Sequence, residues 1–181
     1  FWLFNVTNMM NKITFSMQEI DTFIFDFDGV LTNNLVYLDE NGKESVSCSR
    51  ADGLAFDLLR KLNKDMYIVS TETNPVVNAR AKKLKIPVLQ GIKNKVELLK
   101  EVVQDNNLNF KKICYVGNDI NDYGAMKLCG LKVCPSDSHK TILDISDIIL
   151  NTKGGYGIVR ELIEDILQID MLEVLYIKEN K

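Results

Sequence analysis

Apolar residues along the chain follow two rhythms. Short unbroken runs read as buried strands: Thr22-Phe23-Ile24-Phe25, Met66-Tyr67-Ile68-Val69, Ile113–Val116, Leu131–Cys134 and residues 148–150. Between them, apolar positions recur every three or four residues, as on the inner face of a helix. Leu54, Ala55, Leu58, Leu59 and Leu62 form one such stripe, with Asp52 expected as its N-cap. A second helix is expected over residues 75–84, because Pro75 suits a first helical turn. Val96, Leu98, Leu99, Val102 and Val103 mark a third, and Ile158, Val159, Leu162, Ile163 and Ile166 a last. After the first strand, Leu35-Val36-Tyr37-Leu38 and Glu44-Ser45-Val46-Ser47 flank a segment containing Asn41-Gly42, a pair that favours positive φ and predicts a β-hairpin. Strands alternating with helices predict an α/β, three-layer sandwich with a mostly parallel, doubly wound sheet. Ligands of such sheets bind at the carboxyl ends of the strands.

Composition narrows the picture. With 181 residues the chain suffices for one domain, expected over residues 18–168, with an unstructured or extended stretch over 1–17 and a tail over 169–181. The tail is apolar enough over 169–177 to pack on a partner. Lys plus Arg number 22 against 25 Asp plus Glu, a balance without the footprint of a nucleic-acid or anionic-membrane binder. No apolar run approaches the roughly 20 residues that span a bilayer. Cys48, Cys114, Cys129 and Cys134 form no CxxC pair, which argues against a disulfide framework or zinc site and fits a cytoplasmic protein. Asn5-Val6-Thr7 matches a glycosylation acceptor formally, but no secretory signal accompanies it. His139, in a polar stretch, reads as a surface residue.

Candidate chemistry gathers at strand ends. Asp26 and Asp28 leave the first strand two residues apart, so that strand periodicity aims both at the crevice. Two such anions repel unless a cation or proton intervenes, and Mg²⁺ favours carboxylate oxygens shared with a substrate phosphate. Taken alone, the pair also fits a turn with solvated aspartates. Ser70-Thr71 closes the second run, where a hydroxyl can hold a phosphoryl oxygen or cap a turn. Lys95, just ahead of a helix, can neutralise both phosphate and nucleophile or simply be solvated. Gly117-Asn118-Asp119-Ile120-Asn121-Asp122 follows the 113–116 strand with oxygen ligands.

The four features, in this order, resemble motifs I to IV of the haloacid dehalogenase superfamily, carried by 26–32, Ser70, Lys95 and 117–122. The hairpin stands where other members insert a cap. Gln90-Gly91 and Gly154-Gly155-Tyr156-Gly157-Ile158-Val159-Arg160-Glu161 further resemble the capless 3-deoxy-ulosonate phosphate phosphatases. The resemblance implies a Mg²⁺-dependent phosphomonoesterase. Asp26 would be the nucleophile, forming an aspartyl-phosphate, and Asp28 the general acid and base, with its backbone carbonyl on the metal. Ser70 and Lys95 would hold phosphoryl oxygens. Metal ligands would come from Asp26, Asp28, Asn118, Asp119 and Asp122; Asn118 stands where the family often has Asp, which leaves the direct motif IV ligand open.

Glu72 stands where octulosonate members carry Arg, and Glu72, Arg80 and Lys83 match relatives acting on nine-carbon acids. The expected substrate is therefore a 2-keto-3-deoxy-nonulosonate 9-phosphate, with octulosonate 8-phosphate as the alternative. Arg80 and Lys83 also fit the wet face of a helix. Thr71, Arg50 and Asp52 complete the expected substrate contacts. The resemblance implies a cytoplasmic homotetramer in which hairpins form the centre and a neighbour's C-terminal region closes the site. The glycines at 154, 155 and 157 allow close backbone approach to a ligand, or form an ordinary turn. Two other classes compete: a non-catalytic oligomerisation domain, like those fused to some sialate cytidylyltransferases, and a phosphorylation receiver.

Overall fold

In the computed structural model, which describes residues 15–91 and 93–177, Thr22–Asp26 forms β1, with all five residues buried. The expectations for residues 1–14, the Asn5 acceptor included, lie outside the described residues. A small antiparallel hairpin follows, β2 (Tyr37–Leu38) and β3 (Glu44–Ser45). Its turn is closed by Asp39 Oδ1, which accepts from Asn41 N at 2.9 Å and Lys43 N at 2.8 Å. The regular strands are two residues long rather than the four expected.

The chain then runs through α1 (Ala51–Lys61), β4 (Asp65–Val69), α2 (Pro75–Leu84), β5 (Val88–Leu89) and α3 (Lys95–Asp105). It continues through β6 (Ile113–Val116), α4 (Tyr123–Met126), β7 (Leu131–Cys134), α5 (Lys140–Ile145), β8 (Ile148–Ile149) and α6 (Ile158–Glu161). All pairings in the six-stranded sheet are parallel, in the order β5-β4-β1-β6-β7-β8. From β1 the chain winds outward through β4 and β5, then crosses to the other side of β1 at β6. The switch point therefore lies between the carboxyl ends of β1 and β6, where an open parallel sheet leaves a crevice.

Strand alternation decides the layers. Phe23 and Phe25 point to one face, where α1, α2 and α6 cover them with Phe56, Leu59, Ala81 and Val159. Phe25 meets Phe56 edge-on with centroids 5.1 Å apart. Ile24 and Tyr115 point to the other face, under Leu99 of α3, Met126 of α4 and Ile142 of α5. This is the three-layer sandwich that the periodicity predicts.

Some local expectations change. Asn74 caps α2 by accepting from Val76 N, with Pro75 in the first turn as expected. Asp52, in contrast, does not cap its own helix. It lies inside the first turn of α1 and accepts from Val159 N at 2.9 Å and Arg160 N at 3.2 Å, so it satisfies the open N–H groups of α6. The two-residue β5 and the short helices α4 and α5 escaped the pattern reading because none is long enough to establish a period. The last helix passes from α6 into a π-helical turn at Leu162–Ile166.

Both boundary segments pack on this chain. Met17 is buried and Phe15 lies against the core, and beyond residue 168 Met171 is buried while Val174 and Leu175 pack beside it. The tail thus divides its apolar residues: these pack on the protomer, whereas Leu172, Tyr176 and Ile177 stay exposed. All four cysteines are free, and burial pushes the Cys129 thiol up to about 12. Among the described residues no helix is long and apolar enough to cross a membrane.

Candidate active site

β1 ends at Asp26, and the first residue of α3 is Lys95. Asn94 fixes that start by accepting from Val96 N at 3.1 Å and Glu97 N at 3.3 Å. Lys95 is 3% exposed, and its Nζ stands 2.7 Å from Asp26 Oδ1 and 2.7 Å from Asp122 Oδ1. Burial works against the ammonium, but Asp26 and Asp122 together outweigh it and hold the Lys95 pKa above its ordinary value. Burial and then the Asp122 charge push the Asp26 carboxyl well up, with Lys95 opposing them. An extra positive charge is what this carboxylate lacks.

A cavity of about 360 Å³ opens at the switch point, lined among others by Asp26, Asp28, Thr71, Glu72, Asn118 and Asp119. Burial, then the Glu72 charge, raise the Asp28 pKa, while Lys95 and a hydrogen bond with Thr32 oppose the rise. Thr32 also shapes the turn, accepting from Gly29 N and Asn34 N at 3.2 Å each. Gly29 has φ +80°, and a Cβ there would lie 2.0 Å from Asn118 Nδ2. Glycine thus lets the β1 turn and the β6 turn close on each other.

The Asn118 side-chain oxygen Oδ1 is buried without a hydrogen-bond partner. An acceptor so placed beside Asp26 and Asp28 fits a hard cation with oxygen ligands. Among the described residues no group of three His, Cys, Asp or Glu side chains forms a metal centre; this donor set is two carboxylates and an amide. Asp119 lines the cavity but is exposed, and its Oδ1 accepts from Ile120 N at 2.7 Å.

Asp122, expected among the metal ligands, is placed otherwise. It is fully buried, and its oxygens are already taken: Oδ1 by Lys95 Nζ and by Tyr115 Oη at 2.9 Å, Oδ2 by Asn118 N at 3.0 Å and Asp119 N at 3.4 Å. It holds the turn that presents Asn118. Ser70 is 1% exposed, and its Oγ accepts from Glu72 N at 3.1 Å.

The expected substrate contacts divide. Thr71 and Glu72 line the Asp26 cavity, whereas Arg50, Arg80 and Lys83 line a second one on α1 and α2. There Arg80 donates to Ser49 O at 2.6 Å, and its Nε is buried without a partner. Asp52 lines neither of these two cavities, its Oδ1 accepting from the open N–H groups of α6. Nor do Gly154 and Gly155 face the cavity: a Cβ on Gly154 would lie 2.0 Å from Gly29 O, and Gly155 N donates to Val30 O at 2.9 Å. They buttress the Asp28 turn from behind. The sequence reading missed Asn74, whose Nδ2 donates to Glu44 Oε2 at 2.8 Å and ties the hairpin to the cavity rim. Its position before Pro75 was the available signal. Tyr115 was also missed as a partner of the buried charges.

Asp26, Asp28 and Asn118 line one cavity at the switch point, and Lys95 lies beside Asp26. Residues 58–162 match the model of the haloacid dehalogenase-like hydrolases. The chain belongs to that family. A solved HAD family hydrolase from Streptomyces avermitilis is 39% identical to it and superposes with a TM-score of 0.85, covering 88% of this chain and 92% of that one. The 3-deoxy-D-manno-octulosonate 8-phosphate phosphatase of Salmonella typhi is 29% identical over 162 residues, 89% of this chain and 84% of the relative. The corresponding enzyme of Moraxella catarrhalis, solved with magnesium, phosphate and its sugar acid, is 26% identical with a TM-score of 0.81, covering 90% and 94% of the two chains. The chain is thus a haloacid dehalogenase-like hydrolase, similar over most of its length to these two phosphatases.

Proposed function

We propose that the protein is a Mg²⁺-dependent phosphatase of a 3-deoxy-ulosonate phosphate, with 3-deoxy-D-manno-octulosonate 8-phosphate as its substrate. The observation that carries the chemistry is the unpaired Asn118 Oδ1 beside Asp26 and Asp28. Asp26, Asp28 and Asn118 would hold the cation, which when bound supplies positive charge to the two carboxylates and a phosphate oxygen.

An Asp26 carboxylate oxygen attacks phosphorus as the bond to the sugar oxygen breaks, giving an aspartyl-phosphate. Asp28 gives its proton to the departing alkoxide; its raised pKa suits a carboxyl that must arrive protonated. It then takes a proton from the water that attacks phosphorus, which frees Asp26 and inorganic phosphate. Lys95, held at Asp26, and Ser70 donate to the phosphoryl oxygens as negative charge spreads over them.

The eight-carbon substrate is supported by the relatives of Salmonella typhi and Moraxella catarrhalis, which shift the preference away from the nine-carbon acid that Glu72 and its companions suggested. One observation keeps the nine-carbon reading as second: Glu72 lines the cavity. A carboxylate there accepts from sugar hydroxyls and repels a substrate carboxylate. The exposed run Leu35, Val36, Tyr37 and Leu38 supports a homotetramer centred on the hairpins. In it, the second cavity's Arg80 and Lys83 are available to a neighbouring protomer. Steady-state assays on the two phosphates test the assignment. A kcat/KM for the eight-carbon ester at least about tenfold above that for the nine-carbon one is expected; the reverse order gives the site to the nine-carbon acid.

A further inference from the structure

Tyr115 is a buried ionisable group that the chemistry above leaves without a task. It lies on β6 with no exposed surface, and its hydroxyl donates to Asp122 Oδ1 at 2.9 Å. That same oxygen receives Lys95 Nζ at 2.7 Å, the distance Nζ also keeps from Asp26 Oδ1. Two buried carboxylates therefore compete for one ammonium. Asp122 Oδ2 is engaged by the backbone N–H groups of Asn118 and Asp119, so Oδ1 is the oxygen that contends with Asp26. Burial, then the charges of Asp122 and Asp26, hold the phenol pKa well above its ordinary value, which keeps the hydroxyl a donor.

We infer that Tyr115 is a positioning residue for phosphoryl transfer: by donating to Asp122 it leaves the Lys95 ammonium shared with Asp26, which lines the cavity. The inference rests on the reading of Asp26 as nucleophile and Lys95 as a phosphoryl-oxygen donor. A buried carboxylate oxygen that loses one of two donors pulls harder on the other. In Tyr115→Phe, which keeps the ring and its packing, the ammonium moves toward Asp122 and meets the transition state less well. A hydrogen bond to a charged group corresponds to about a ten- to hundredfold effect, so kcat should fall about tenfold or more while KM stays within about twofold.

The test compares the full-length wild type and Tyr115→Phe in Mg²⁺, with inhibition constants for orthovanadate and inorganic phosphate and the ¹⁵N signal of the Lys95 ammonium. The expected result is a vanadate constant raised about tenfold, a phosphate constant changed less than about twofold, and a displaced Lys95 signal. A purely structural tyrosine would reduce the unfolding midpoint and the active fraction but leave the vanadate constant as in the wild type, and that outcome overturns the inference. Should the wild type hydrolyse no phosphomonoester, the proposed function fails separately, and the Lys95 signal alone decides: displaced, the positioning role stands; unmoved, it falls.

Discussion

Asp52 carries a sharp prediction because its carboxylate is buried at a helix end rather than in the active site. It is 2% exposed, and burial pushes its pKa from 3.8 to about 6 against the opposing N–H groups of Arg160 and Val159 and the charge of Arg80. The folded state thus holds the Asp52 proton more tightly than the unfolded chain does. Its contribution to stability is then greatest below about pH 4, declines as pH rises to about 6, and is level beyond that. A gap of about two pH units corresponds to about 3 kcal/mol. In Asp52→Asn the amide oxygen can still accept from both N–H groups but never ionises. Urea unfolding of both proteins at pH 4, 5, 6 and 7, at one protein concentration, isolates this group, since every other titration is shared and cancels in the difference. The variant should gain about 2 kcal/mol on the wild type between pH 4 and pH 7, since the unfolded carboxyl is already partly ionised at pH 4. A difference that stays constant over that range would show that the N–H groups of α6 fully compensate the buried charge, and the burial argument would be refuted.

Three further outcomes follow from the site. Gly29→Ala places a Cβ 2.0 Å from Asn118 Nδ2 at a φ of +80°, so Mg²⁺ affinity by titration calorimetry should fall about tenfold or more with the fold retained. Asn118→Asp adds a charge to the oxygen that now lacks a partner, and Mg²⁺ should bind about tenfold more tightly; unchanged affinity would remove Asn118 from the ligand set. Asp28→Asn should lower kcat about 10²- to 10⁴-fold on the sugar ester but much less on an aryl phosphate, whose leaving group needs no proton. An equal loss on both would deny Asp28 the acid role.

Legibility in the sequence followed the range of the interactions. Asp26, Asp28, Lys95 and Asn118 could be placed because each follows or precedes a short apolar run, and parallel strands bring such ends together. Asp52 was misplaced because its partners lie 107 and 108 residues away, while the nearest helix start offered a local explanation. Asp122 read as a metal ligand by proximity to Asn118; only the convergence of Lys95, Tyr115 and two backbone N–H groups shows that its oxygens are occupied. Arg80 and Lys83 share a face of α2, but a helical period does not say which cavity that face lines. Nothing in residues 169–177 told in advance which apolar positions, Ile169, Met171, Val174 and Leu175, pack on their own protomer and which, Leu172, Tyr176 and Ile177, stay exposed.

The central claim is that Asp26 attacks phosphorus in a site completed by a divalent cation. Its most direct measurement is phosphate release from 3-deoxy-D-manno-octulosonate 8-phosphate with Mg²⁺, by the wild type and by Asp26→Asn. Sustained turnover that stops on chelation, returns with Mg²⁺ and is absent in the variant is the predicted result. Turnover by Asp26→Asn at a rate near that of the wild type would contradict it.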